Sequence, residues 1–317
     1  MKKGLMVVFV LISLAAFTLG YHLYSGQKPA EIKSSVPTDK TVNAAATASN
    51  SKVIYKDKVV VLIYHHIDPH EVTGLVISPE RFANHLAMLQ TKGYHAISLD
   101  QLQQFLKGSP IPDNAVLITF DDGYESLYKY ALPELKKYNM PAVNFDIVGK
   151  AGTNQSGLQY LDWNEMAEMA AAGFTTQSHT FAMHDSGILA NGKQGDLISG
   201  PLKGQSQADF AAALCEDLKR SKNEIESHVQ QPVYALAVPH GKITPTIVQA
   251  ATKSGLSLLF SGTAGAVTRK SNPLALPRVV AGSPSVSVNE LESRILRFTT
   301  TTAQSTVTAK TTKPAKK

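Results

Sequence analysis

The chain has 317 residues of ordinary apolar content, 43% by residue type, which allows one large domain or two small ones. Its formal charge of +6 sits at the ends. Residues 1–52 hold six lysines against two acids and residues 310–317 hold four lysines and no acid, so the region between is near −2. That distribution excludes a nucleic-acid-binding face, which needs basic residues clustered on the domain itself. The single cysteine, Cys215, fits an exported domain that uses no disulfide, and its helical neighbours Phe210, Leu214 and Leu218 point to a packed thiol.

Lys2 and Lys3 precede an uncharged stretch, Gly4 to Gln27, with an apolar core from Leu5 to Leu19. Residues 1–25 therefore read as a signal peptide or an uncleaved signal-anchor. The core is short for a spanning helix of about twenty residues, but Gly20 to Tyr24 extend it into the interface. No Ala-x-Ala site stands out, which favours an anchor in the cell membrane over a cleaved signal and a secreted domain. The two lysines keep the N-terminus inside and place the domain outside. Residues 26–52, rich in Ala, Ser, Thr and Lys, read as a disordered spacer.

From Val59 onward, strand-like and helix-like segments alternate. Val59–Tyr64 predicts a buried strand, and Ser78 with Pro79 opens a helix through Phe82, Leu86 and Leu89 to Gly93. Tyr94–Ile97 predicts a short strand and Leu99–Leu106 a short helix. Ala115–Phe120 is the third strand, followed by a helix through Leu127, Tyr130, Leu135 and Tyr138. Further strands are expected at Ala142–Val148, Thr175–Gln177, Val233–Val238, Leu258–Phe260 and Leu276–Val280. Helices are expected at Asn164–Ala172, Gln207–His228, Pro245–Ser254 and Val288–Leu296. The stretch 185–205, rich in Gly, Asn and Lys, reads as a loop beside the site. Thr299–Lys317 is Thr/Lys-rich without apolar periodicity and reads as a disordered, solvated tail, with contact to anionic wall polymer or head groups the alternative. Such alternation predicts an α/β fold, a parallel sheet with covering helices, and seven or eight units in about 240 residues suit a closed barrel.

Two motifs carry chemistry. In Val116 to Tyr124, a run of β-formers ends in Asp121, Asp122 and Gly123, and strand ends are where α/β proteins deliver catalytic groups. Adjacent aspartates repel, so their placement implies a nearby cation, although Asp-Gly is also a common turn. The second motif is Ser178-His179-Thr180-Phe181-Ala182-Met183-His184, two histidines five apart after a short strand. Histidines on one helical face would be three or four apart, so His179 is expected to end a strand and His184 to lie on the following loop. A carboxylate with two imidazoles is a three-ligand set for a divalent metal with an open position.

At these residues the chain resembles the polysaccharide deacetylases of carbohydrate esterase family four, the family of the NodB-homology domain. The resemblance runs from about Val59 to about Arg297. It is supported by Val61 to His66, Ser78 to Phe82, Pro239-His240-Gly241 and Leu276-Pro277-Arg278. The Ser-His-Thr-x-x-x-His spacing looks like the branch that deacetylates poly-β-1,6-N-acetylglucosamine in biofilm matrices. The resemblance implies a distorted (β/α)7–8 barrel of TIM type, a single catalytic domain over residues 53–298. It also implies a metal held by Asp122, His179 and His184, with Asp121 as general base. Zinc suits that set best, and cobalt, nickel or iron fit it too. Two departures stand out. Ala237 to Gly241 lacks the family's arginine and has histidine for its tyrosine, and no histidine follows Arg278 where the family often places its general acid. His240 is then the candidate acid, unless only its backbone N–H matters.

The implied reaction is removal of N-acetyl groups from an extracellular N-acetylglucosamine polymer, with release of acetate. A metal would activate water and polarise the carbonyl, Asp121 would take the water proton, and a backbone N–H of the loop Pro239, His240 and Gly241 would help hold the oxyanion. Tyr124 and Trp163 are candidate flat walls for sugar, with ordinary packing the equal alternative. Arg278 is expected either to orient Asp121 or to form a structural ion pair elsewhere. His65 and His66 end the first strand and reach the rim without an assigned role. The expected partners are the polysaccharide and, through the N-terminal segment, a membrane. The rival readings are peptidoglycan or chitooligosaccharide as substrate, and a catalytically degenerate carbohydrate-binding protein. A phosphate-ester hydrolase would want more basic or multi-metal ligands than the chain offers.

Overall fold

The computed structural model describes residues 52–70 and 74–300. The expected N-terminal signal or anchor, nearly all of the spacer and the tail beyond Thr300 lie outside them. Among the described residues no helix is long and apolar enough to cross a membrane.

Seven parallel strand positions organise the domain: β1 (Lys58–Tyr64), β2 (Ala115–Asp122), β3 (Ala142–Asp146), β4 (Thr175–Ser178), β5 (Ala235–Ala237), β6 (Leu258–Phe260) and β7 (Val279–Val280). The first six lie side by side in chain order. The seventh position bridges the two edges of the curled sheet. Leu62 and Ile63 of β1 pair with Val279 and Val280, while Leu276, just upstream, bridges to Phe260 of β6. The result is a distorted, thinly closed (β/α) barrel. His95–Ala96 adds a short parallel pairing to β2, and Val267–Thr268 runs antiparallel to the start of β1.

Alternation along the strands builds two cores. Val59 and Val61, Ala115 and Leu117, Val143 and Phe145, Ala235 and Ala237, and Leu258 and Phe260 share the inner cluster. Helix α2 (Leu99–Leu106) plugs one end of it with Leu99, Leu102 and Phe105. The intervening residues, such as Val60, Leu62, Ile118, Phe120 and Leu236, meet the surrounding helices in a larger outer cluster. Those helices are α1 (Pro79–Thr91), α3 (Leu132–Lys137), α4 (Trp163–Ala171), α5 (Gln207–Val229), α6 (Pro245–Lys253) and α7 (Val288–Thr299). Ser78 accepts from the Arg81 N–H and caps α1, with Pro79 at its first position as expected.

Two expectations need correcting. The helix after β2 is not α throughout. Residues Leu127–Ala131 form a π-turn in which the Leu132 N–H reaches back to Leu127, and α3 follows. Pro133 lacks an N–H and would break a continuous α-helix, so the wider turn accommodates it. The 185–205 stretch is not a plain loop. Ser186–Ile188 pairs antiparallel with Gln194–Asp196, and a 3₁₀ turn, Leu197–Ser199, follows. The signal was Asn191-Gly192, a hairpin dipeptide whose glycine has φ +78°.

Candidate active site

Strand parity aims the first carboxylate. Asp121 follows Ala115, Leu117 and Thr119 at the inward period of two, so it reaches the mouth of the barrel at the strand's C-terminal end. There Arg278, just before β7, meets it with two parallel hydrogen bonds, Nη1 to Oδ1 at 2.7 Å and Nη2 to Oδ2 at 2.8 Å. Both side chains are almost fully buried. Burial opposes ionisation of Asp121, but the Arg278 guanidinium, helped by His179 and His65, holds its carboxyl below the usual carboxylate range. Of the two alternatives for Arg278, the structure places it on Asp121.

Asp122 leaves the strand's alternation because its φ is +78°. The following residue must be glycine. At Gly123, φ is +81° and an added Cβ would lie 1.6 Å from Oδ1 of Asp146, the residue paired with Asp122 across the sheet. Asp146 is itself buried, and burial, reinforced by Asp122, pushes its carboxyl well above the ordinary range. Asp122 keeps its charge because hydrogen bonding to His184 and the nearby rings of His179 and His65 outweigh the burial that opposes ionisation.

His179 follows the last residue of β4, as its spacing suggested. Its Nδ1 donates to the Ala237 carbonyl at 2.7 Å, which fixes the tautomer and leaves a bare lone pair on Nε2. Burial lowers its pKa to about 4, so the ring is neutral at pH 7. The Nε2 faces Oδ1 of Asp122 at 3.5 Å, and Nε2 of His184 stands 3.2 Å from the same oxygen. One ligand atom from each of Asp122, His179 and His184 lies within 4.8 Å of the others. A neutral imidazole lone pair aimed at a carboxylate oxygen is a repulsive pairing of acceptors, and a divalent cation between them removes the repulsion. The donor set therefore fits a metal with an open coordination position.

A cavity of about 220 Å³ opens onto these groups, lined among others by His65, Asp121, Asp122, His179, His184, His240 and Arg278. Gly241 also lines it, at φ +74°, because a Cβ there would lie 2.3 Å from the Gly262 nitrogen. Within the loop expected to hold an oxyanion, Pro239 has no N–H and the Gly241 N–H already donates to Val238 at 2.8 Å. His240 is left as that loop's remaining amide. The His240 ring is half-exposed, with Nε2 3.3 Å from both Asp196 and the His184 carbonyl. Tyr124 lines an adjoining cavity of about 360 Å³ that shares His65, Leu75 and Asp122 with the first. Trp163 lines neither cavity. It stacks on His228 at 4.2 Å and packs against the outer core. His65, to which the sequence assigns no role, has its Nε2 3.9 Å from Asp121, and its buried Nδ1 has no hydrogen-bond partner among the described residues.

Residues 108–259 match the family model described as polysaccharide deacetylase. A poly-beta-1,6-N-acetyl-D-glucosamine N-deacetylase of Staphylococcus aureus (strain MRSA252) is 26% identical over 284 residues, covering 88% of this chain and 92% of that protein. The enzyme of the same name from Staphylococcus epidermidis is 27% identical, over 76% of this chain and 86% of its own. Among solved structures, IcaB from Ammonifex degensii superposes with a TM-score of 0.66 at 27% identity, over 76% of this chain and 98% of that one. A de-N-acetylase from Aggregatibacter actinomycetemcomitans, 22% identical and covering 75% of this chain and all of its own, gives 0.68 and supports the fold.

Proposed function

Because the chain belongs to the polysaccharide deacetylase family, we propose that it removes N-acetyl groups from poly-β-1,6-N-acetylglucosamine outside the cell, releasing acetate. The observation that carries this reading is the buried constellation at the barrel mouth: an Asp-His-His donor set beside an ionised Asp121 clamped by Arg278. The choice of polymer is supported by the relatives' named activity and by the five-residue histidine spacing.

Asp122, His179 and His184 would hold a divalent ion, zinc before cobalt, nickel or iron, which when bound supplies Lewis-acid polarisation and an acidified water. Asp121 accepts the proton of the attacking water. Arg278 serves that role by fixing both carboxylate oxygens and keeping the group ionised in a buried site. Protonation of the departing nitrogen falls to His65, whose ring lies beside Asp121 at the same cavity wall. His240 is the second candidate, but its Nε2 is already engaged by Asp196 and the His184 carbonyl. The adjoining cavity with Tyr124 extends the site in one direction, as a polymer requires. An anchoring N-terminal segment, with Lys2 and Lys3 inside, would hold the domain facing its polymer.

The test is acetate release by the full-length protein supplied with zinc or cobalt, on β-1,6 and β-1,4 N-acetylglucosamine oligomers and on peptidoglycan in parallel. Release from the β-1,6 polymer, abolished in Asp121→Asn, is the expected result. Release only from peptidoglycan or a β-1,4 oligomer would move the substrate, and silence on all three from folded, metal-loaded protein would refute the enzymatic reading. In the same assay His65→Ala should lose more kcat than His240→Ala, and the reverse order would return the acid role to His240.

A further inference from the structure

Four residues separate the two histidines, and none belongs to a helix or strand. Thr180 has φ +80°, so the chain turns sharply after His179. The loop's amides are then satisfied one by one. The Thr180 N–H donates to Ser178 Oγ at 3.0 Å and the Met183 N–H to Thr180 Oγ1 at 3.1 Å, both to acceptors two or three residues back. The two between them reach outside the loop. The Phe181 N–H donates to Oδ1 of Asp217 at 2.9 Å, and the Ala182 N–H to Oδ2 at 2.8 Å. One carboxylate thus grips two consecutive amides at the centre of the loop.

Asp217 does not act alone. Arg220 lies over the Phe181 ring at 3.7 Å, and Ser221 Oγ meets Ser178 Oγ at 2.7 Å. Residues 217, 220 and 221 share one face of α5, a helix whose Leu214, Leu218 and Ile225 are buried in the outer core. The loop's carbonyls are held from the other side, Thr180 by the Val148 N–H at 3.1 Å and Phe181 by the Gly149 N–H at 2.8 Å. The segment is clamped between α5 and the 3₁₀ turn Val148–Lys150 that follows β3, and His184 is delivered at its exit.

We propose that Asp217 is a positioning residue for the metal centre, holding the Phe181–Ala182 backbone so that His184 reaches Asp122 across five residues. The inference rests on the reading of Asp122, His179 and His184 as the metal site. It concerns only the arm that carries His184, since His179 is fixed independently by the Ala237 carbonyl. A carboxylate is required because both acceptors are used. In Asp217→Asn one oxygen becomes an NH₂ that faces a backbone N–H, donor against donor.

The test is zinc or cobalt affinity by calorimetry on metal-free, full-length protein, compared across wild type, Asp217→Asn, Asp217→Ala, His184→Ala and the Asp217→Ala/His184→Ala double variant. Loss of a group that orients a metal ligand weakens binding about 10- to 100-fold, and that is the effect expected of both Asp217 variants. In the His184→Ala background Asp217→Ala should add little, because its route to the metal is already gone. Unchanged affinity in a folded Asp217→Asn protein, with only a lower melting temperature, would overturn the proposal and leave Asp217 a packing residue. Fully additive losses would also overturn it. Absence of binding by wild type would remove the metal centre itself, an outcome read before any variant is compared.

Discussion

Replacing Arg278 by Met probes the site through stability. The perturbation removes the two-pronged partner of Asp121, with side chains 3% and 4% exposed, while keeping an apolar chain in the space. Breaking a buried pair from one side leaves an uncompensated charge and costs about 3–5 kcal/mol. For a domain of this size each kcal/mol lowers the melting temperature by about 2–4 °C, so Arg278→Met should melt roughly 6–20 °C lower at pH 7. The pH dependence follows from the direction of the carboxyl's shift. In wild type the folded Asp121 is depressed, so the pair's contribution is whole above the unfolded value near 3.9 and disappears as pH falls through the folded value. In the variant burial acts unopposed by the guanidinium and raises the folded value, a penalty present at neutral pH and relieved by protonation. The gap between the two proteins should therefore narrow from pH 7 towards pH 4. Urea unfolding of metal-free protein across that range measures it. The double variant Asp121→Asn/Arg278→Met should recover at least half of the loss at pH 7. A double variant as unstable as the single one, or a gap independent of pH, would show that the cost is packing and refute the argument from orphaned charge.

Asp121→Asn should keep wild-type metal content while acetate release falls roughly 10²- to 10⁴-fold, whereas His179→Ala should lose both, as read by elemental analysis beside the activity assay. Equal metal loss in the two variants would contradict the division between base and ligand. Gly241→Ala should lower stability by about 1–3 kcal/mol, because its φ of +74° is strained for alanine and the new Cβ meets the backbone of Gly262 at 2.3 Å. Thermal unfolding and turnover check it together, and no change in either would mean that the two loops part freely.

Much of the architecture was legible in the chain because its signals are local. Ser78 and Pro79 mark a helix start through the backbone geometry of a few residues, and the apolar runs at β1, β2 and β6 are short enough to be buried strands and nothing else. The Asp-Asp pair was visible because it closes such a run, and the histidines because His179 follows the short strand Thr175–Ser178 and His184 comes five residues later. Misreadings arose where a local signal was passed over or was too weak. Pro133 signals the wider turn inside the helix after β2, and Asn191-Gly192 the hairpin. Trp163, for which a sugar wall and ordinary packing were equal alternatives, stacks on His228, a neighbour 65 positions away that no spacing argument reaches.

Periodicity, capping and turn chemistry act between residues a few positions apart, so the sequence by itself determined the alternation of strands and helices and which side chains end the strands. The connections that turn those side chains into a site span the barrel. Asp121 is held by a residue 157 positions later, His179 takes its tautomer from a carbonyl 58 positions away, and the loop before His184 is gripped by a carboxylate 35 and 36 positions on. Only closure of the sheet brings Leu276 and Val279 to its two edges and carries Arg278 to the mouth between them. Charge compensation in a buried site depends on distance through space, and tertiary packing alone decides that distance.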